Sequence, residues 1–265
     1  MKEKYYGAVA LLMGGFTYST FPLLIRLLDI TFSEFAQVAV RSFVAVLILV
    51  ALLYRKRIKI FIPKEKRLSV ALFAISFPLA IFFFTFSALE TKIANTVFSL
   101  YIGSLSISFV VGLVVFREKI TIKKILSLGL VFLGLMFFTY PFNLTGIAGI
   151  ILGILAGIFD GITNSLRKYI KDLPRNVILF YQYLVGIILS LILILIFKEE
   201  AIKETIGIES IFAGIVYGAL LVFIGNVTIY GFQKFDLNLG TILISSELVF
   251  SLILGFLFYL EKPSA

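Results

Sequence analysis

The chain has 265 residues, of which 60% are hydrophobic and only 15% charged, with a mean hydropathy of +1.09. A soluble domain of this length has too much surface to carry that balance. The absence of His and Cys removes disulfides, most transition-metal sites and the usual nucleophile–base pairs, which weighs against an enzyme and leaves only carboxylates and carbonyls for any metal.

The formal net charge is +9. Its basic residues cluster between apolar runs, which points to an anionic lipid surface rather than to nucleic acid. Lys2 to Lys4 precede an apolar run that lacks a small-residue cleavage site, so the N-terminus reads as a first membrane span and not as a signal peptide.

Nine apolar runs of roughly twenty residues are each long enough to cross about 30 Å of hydrocarbon. They lie at 5–25, 34–54, 68–89, 93–116, 122–141, 146–168, 176–197, 210–233 and 238–260. Span one carries Tyr18 and Pro22, and span three Pro78; both prolines predict kinks. In span two Glu34, Gln37 and Arg41 share a face, and a solvated Glu34–Arg41 pair is one reading of them. The stretch RKRIKIFIPKEKR that follows reads as a solvated loop against anionic lipid. Span four holds a polar stripe of Tyr101, Ser104 and Ser108.

Span six repeats glycine every fourth residue at Gly149, Gly153, Gly157 and Gly161, a small-residue stripe for close helix packing. Asp160 and Asn164 fall within the angular range of that stripe. Asp160 then needs a partner at mid-membrane, and Arg41 is one candidate. Span eight holds Asn226, Tyr230 and Gln233, and Glu247 sits near the middle of span nine with Gly240 and Ser251 on nearly its face. Charges inside spans are costly and mark functional positions. A carboxylate such as Glu247 can bind a cation or a proton, or stay neutral or paired through burial. Serines that bond back to their own helix say less than Asn226 and Tyr230, whose amide and phenol need partners in an apolar setting.

Basic residues set the orientation. With the N-terminus inside, 18 of the 24 Lys and Arg fall in inner connections and five in outer ones, with Arg41 inside span two. The connection 198–209 is acidic on balance, which suits the outer side.

A shift of about 143 residues superimposes Asn95, Ser108, Gly112, Glu118 and Lys119 on Asn238, Ser251, Gly255, Glu261 and Lys262. A shift of 142 pairs Gly7, Gly15 and Arg26 with Gly149, Gly157 and Lys168. An odd number of spans per repeat inverts the second copy, the arrangement that places a shared cavity near the bilayer midplane. FREKIT at Phe116–Thr121 leads from span four into span five, and YLEKPSA at Tyr259–Ala265 is its counterpart. On the repeat a tenth span belongs after it, so the sequence reads either as truncated, with its C-terminus outside, or as a protein that works with nine helices.

Four stretches carry a family resemblance: GAVALLMGGFTYSTFPLLIR, QVAVRSFVAVLIL with Arg41, FSALETKIANTVFSL, and the paired endings GLVVFREKIT and GFLFYLEKPS. Together they resemble the EamA-like branch of the drug/metabolite transporter superfamily. The resemblance implies an all-α polytopic membrane protein of ten helices in two inverted five-helix repeats, here 1–141 and 142–265 with nine helices present, moving small metabolites. Two features depart from the family: SLSIS and SSELVFS lack its mid-helix proline, and Tyr18 stands nearest its mid-helix-one aromatic, often Trp.

The leading expectation is an integral membrane secondary transporter of a small organic solute such as an amino acid, nucleotide or drug-like molecule, in the cell membrane. Its candidate substrate or coupling residues are Glu247, Asp160, Arg41, Tyr18, Asn164, Tyr101, Asn226 and Tyr230. No phosphate-binding loop appears. No cofactor, metal or nucleic acid is expected; the partners are a small-molecule substrate and membrane lipid, and a homodimer is compatible with the sequence. The competing readings are a non-transporting scaffold or lipid-binding subunit and an intramembrane carboxylate protease.

Overall fold

A computed structural model describes residues 2–91, 93–119, 121–122, 125–126, 128–130, 132–133, 147–170 and 172–259. The described residues form helices joined by short connections. In chain order they are α1 (Lys2–Tyr18), α2 (Phe21–Asp29), α3 (Glu34–Arg55), a 3-10 turn (Lys64–Lys66), α4 (Arg67–Glu90) and α5 (Ile93–Val114). After these come α6 (Ile147–Tyr169), α7 (Arg175–Phe197), α8 (Ile208–Lys234), α9 (Leu237–Ile244) and α10 (Glu247–Tyr259).

Among the described residues, seven helices are long and apolar enough to cross a membrane, the first counted from Lys2 to Asp29, and Leu237–Ser251 is a shorter apolar helix. The predicted span 122–141 falls mostly outside the described residues, as does the YLEKPSA ending beyond Tyr259. The outward faces carry large apolar side chains, including Leu195, Phe197, Ile208 and Phe212. Lipid accepts such a surface, and helices satisfy their own backbone there.

Two expected spans are broken rather than continuous. In span one the kink expected at Pro22 is a break at Ser19–Thr20, between α1 and α2. The hydroxyls of Thr17, Ser19 and Thr20 donate to the carbonyls of Met13, Phe16 and Thr17, competing with the helix ladder. Pro22 then sits in the first turn of α2, where its missing N–H costs nothing. Span nine breaks at Ser245–Ser246 without any proline: Ser245 Oγ donates to the Ile242 carbonyl, and Glu247 opens α10. The shared face assumed for Glu247 and Gly240 therefore does not hold, because the helical period does not carry across the break. Gly240 instead packs against Phe232 and Leu11. Helix α4 continues through Pro78.

The closest helix packing is between the two halves of the chain: α5 and α4 against α6, α3 against α7 and α8, α1 against α8. The glycine stripe of α6 makes the tightest of these contacts. A Cβ at Gly157 would collide with the Leu100 carbonyl and lie 2.8 Å from the Ser104 nitrogen. One apolar core gathers Phe21, Ile25, Phe77, Tyr183, Tyr217 and Ile224. A second holds Leu11, Tyr101, Leu105, Phe232 and Ile244. Between them lies a cavity.

Candidate functional site

The cavity has about 590 Å³ of atom-free space counted out to its mouth. Aromatic and aliphatic side chains make most of its wall, and six residues with polar groups line it: Tyr18, Arg41, Tyr101, Asp160, Tyr217 and Glu247. These residues come from both halves and from six helices, so only the packed bundle assembles them. Of its wall, Ile81, Phe84 and Leu100 keep partial exposure.

The floor is a chain of charged and polar groups along one face of α6. Asp160 Oδ2 accepts from Ser104 Oγ at 2.6 Å and from Asn164 Nδ2 at 2.8 Å. Asn164 Oδ1 accepts from Arg167 Nη1 at 2.6 Å, and Arg167 Nη2 donates to the Tyr18 hydroxyl at 3.2 Å. The guanidinium lies 5.6 Å from the Phe77 ring. Arg167 is 1% exposed, so it belongs to the bundle and not to the inner connection where charge counting places it. Its spacing from Asp160 and Asn164, seven and three residues, is the one sequence signal that marks it.

The candidate Arg41–Asp160 pair does not form. Arg41 is fully buried, donates from Nη2 to Thr85 Oγ1 at 3.2 Å, and lies 4.5 Å from the centre of the Tyr217 ring. A Glu34–Arg41 pair is absent too: Glu34 meets Lys203, and Gln37 bonds to Asp29 and the Phe32 carbonyl. Asn226 and Tyr230 lie away from the cavity. The Asn226 amide returns to the Val222 carbonyl, and Tyr230 sits under Arg175.

Glu247 occupies the break between α9 and α10. The Tyr101 hydroxyl stands 2.5 Å from Glu247 Oε2 and 3.1 Å from the Ile244 carbonyl oxygen. A phenol has one proton, so two arrangements are available. An ionised Glu247 accepts the Tyr101 proton and leaves the Ile244 carbonyl without it. A protonated Glu247 donates to Tyr101, which is then free to donate to Ile244. Gain or loss of one proton at Glu247 thereby decides whether the Tyr101 hydroxyl caps the C-terminal end of α9.

Each end of the bundle has its own polar fastening. At the end formed by 115–119 and 235–236, Lys168 Nζ donates to Glu118 Oε1 at 2.7 Å and to the Phe235 carbonyl at 3.1 Å. The same Glu118 carboxylate accepts the Leu237 amide at 2.6 Å and the Asn238 amide at 3.4 Å. Glu118 thus caps the N-terminus of α9, where the helix dipole favours a negative charge. One residue of the first half holds two elements of the second. At the other end Lys203 reaches Asp29 at 3.0 Å and Glu34 at 3.4 Å, and the Lys203 amide donates to the Thr31 carbonyl. Burial first, and then the neighbouring Glu34, push the Glu199 carboxyl there up to about 7. Among the described residues no cluster of acidic residues could hold a metal ion.

No curated protein matches the chain. One solved crystal structure, described only as that of a protein, matches 100% of this chain and 92% of its own at 15% identity and a TM-score of 0.80. That likeness speaks to the fold alone. A model of the EamA-like transporter family matches residues 5–140 and again residues 147–265. The chain is an integral membrane protein that belongs to the EamA-like transporter family.

Proposed function

We propose that the chain is a secondary transporter that moves a small organic solute by alternating access through the central cavity. The observation that carries this reading is a mostly apolar cavity between the two halves with charged and hydroxyl groups in its wall, and one end fastened across the halves by Glu118, Lys168 and the N-terminus of α9. The two repeats, 1–141 and 142–265, exchange that closure between the two ends. The repeat relation gives Glu118 the counterpart Glu261 and Lys168 the counterpart Arg26, so Arg26 and Glu261 take up the same parts when the opposite end closes. Glu261 lies outside the described residues. The surplus of Lys and Arg on the Glu118 side favours placing that side and the N-terminus in the cytoplasm of a cell-membrane protein.

The Glu247–Tyr101–Ile244 arrangement supports proton coupling, because protonation there changes bonding at a helix break. The test is uptake into liposomes across a panel of metabolites, with and without a pH gradient. Solute-specific flux that responds to the gradient supports the reading. Absence of flux for every solute under both conditions removes it.

A further inference from the structure

Arg41 is a permanently charged cavity group for which no described side chain supplies a hydrogen-bonded counter-charge. Its side chain is fully buried, and Nε and Nη1 have no hydrogen-bond partner. Nη2 spends one of its two hydrogens on Thr85. The Thr85 hydroxyl itself donates to the Ile81 carbonyl, so it accepts from Arg41 without neutralising it. The Tyr217 ring contributes a cation–π contact. A guanidinium cannot shed its proton in a protein, and a buried charge without a counter-charge is costly.

The two cavity carboxyls do not supply that counter-charge. Asp160 is taken by Ser104 and Asn164, with Arg167 beyond them. Glu247 is taken by Tyr101. Each bidentate edge of the guanidinium uses one Nη2 hydrogen, so the edge that Thr85 does not take still presents two parallel donors. That fork matches a carboxylate. Around it Phe21, Phe77 and Phe84 give an apolar wall.

We propose that Arg41 is a binding residue for the carboxylate of the solute, and that the cavity takes organic carboxylates with an apolar or aromatic body. The subsite rests on reading this cavity as the solute site, but its test needs no transport. The purified protein in detergent is titrated with 3-phenylpropionate, 4-phenylbutyrate and indole-3-acetate, each against its own amide, with sodium chloride as the inorganic-anion control. Thermal stabilisation gives the affinities. At least one carboxylate is expected to bind about 10- to 100-fold more tightly than its amide, the worth of a charge-assisted hydrogen bond.

Arg41→Gln is expected to abolish the preference for the acid, and Arg41→Lys to restore part of it. No carboxylate outperforming its amide in the wild-type protein overturns the proposal whether or not the variants fold. So does stabilisation by chloride alone, which would make the site one for an inorganic anion. A carboxylate that binds through Arg41 yet is not carried into liposomes upholds the subsite while counting against transport. Flux of neutral solutes without acid preference does the reverse.

Discussion

Replacing Glu118 by Gln removes the charge that joins the two halves at the closed end. The Glu118 and Lys168 side chains are 5% and 13% exposed, so the pair is largely shielded from water. Breaking a buried pair by neutralising one partner costs about 3–5 kcal/mol. Lys168 keeps the Phe235 carbonyl and some water, and Gln keeps one acceptor for the Leu237 amide, so the lower end, about 3 kcal/mol, applies. That loss falls only on the conformation in which this end is closed. At 1.4 kcal/mol per factor of ten, the closed-to-open ratio drops by roughly 100-fold.

The chain has no Cys, so a single introduced thiol reports cleanly. Ser108 is fully buried on α5 toward the closed end, and Ser108→Cys adds little volume. With a membrane-impermeant maleimide applied from the Glu118 side, Ser108→Cys alone is expected to label slowly. Ser108→Cys combined with Glu118→Gln is expected to label far faster. If the double variant is less heat-stable but labels no faster from that side, the ion pair only props up the fold and the gating argument fails.

Gly157→Val drives a branched side chain into the Leu100 carbonyl. It is expected to lower stability by at least about 1–3 kcal/mol, the usual cost of overpacking, read as a fall in melting temperature; an unchanged value would mean α5 and α6 do not pack as described. Glu247→Gln mimics the protonated carboxyl and is expected to keep solute binding while abolishing the response to a pH gradient, and an unaltered response would dismiss its coupling role. Glu199, raised to about 7 in the fold from an ordinary carboxyl value, binds more protons folded than unfolded. Its contribution is therefore present at low pH and lost as pH rises through about 7. Glu199→Gln is expected to flatten the pH dependence of melting temperature between about 5 and 7.5, and a slope identical to wild type would show that Glu199 does not titrate there. Reversing the proposed opposite pair, Arg26→Glu with Glu261→Arg, is expected to restore flux lost in either single variant, whereas additive losses would separate the two residues.

The positions of most spans, the close-packing glycines of α6 and the standing of Arg41, Asp160 and Glu247 as charges inside spans were legible from hydropathy, spacing and charge. Partners were not. Arg41 and Asp160 are both mid-membrane charges, but which donors reach each depends on the rotation of α3 and α6, and that is fixed by neighbours such as Tyr217 and Ser104. Arg167 was hidden by Lys168 beside it, since adjacent basic residues at a span end read as a loop. Asn226 and Tyr230 needed partners and found them outside the cavity, in Val222 and Arg175. Both helix breaks come from clustered Ser and Thr, which also occur in unbroken α5, so composition alone did not separate the cases. Glu118 was visible as one member of a repeated pair, but its hold on α9 crosses 119 positions of sequence.

The central claim is that one cavity is exposed in turn to the two sides of the membrane. Counterflow tests it most directly: liposomes carrying the protein and loaded with unlabelled solute are diluted into a trace of the same solute labelled, with no ion gradient. The account predicts transient accumulation of label inside above its external concentration, reduced when Glu118→Gln unbalances the two states. Equilibration without overshoot, at a rate indifferent to the unlabelled solute inside, would contradict it.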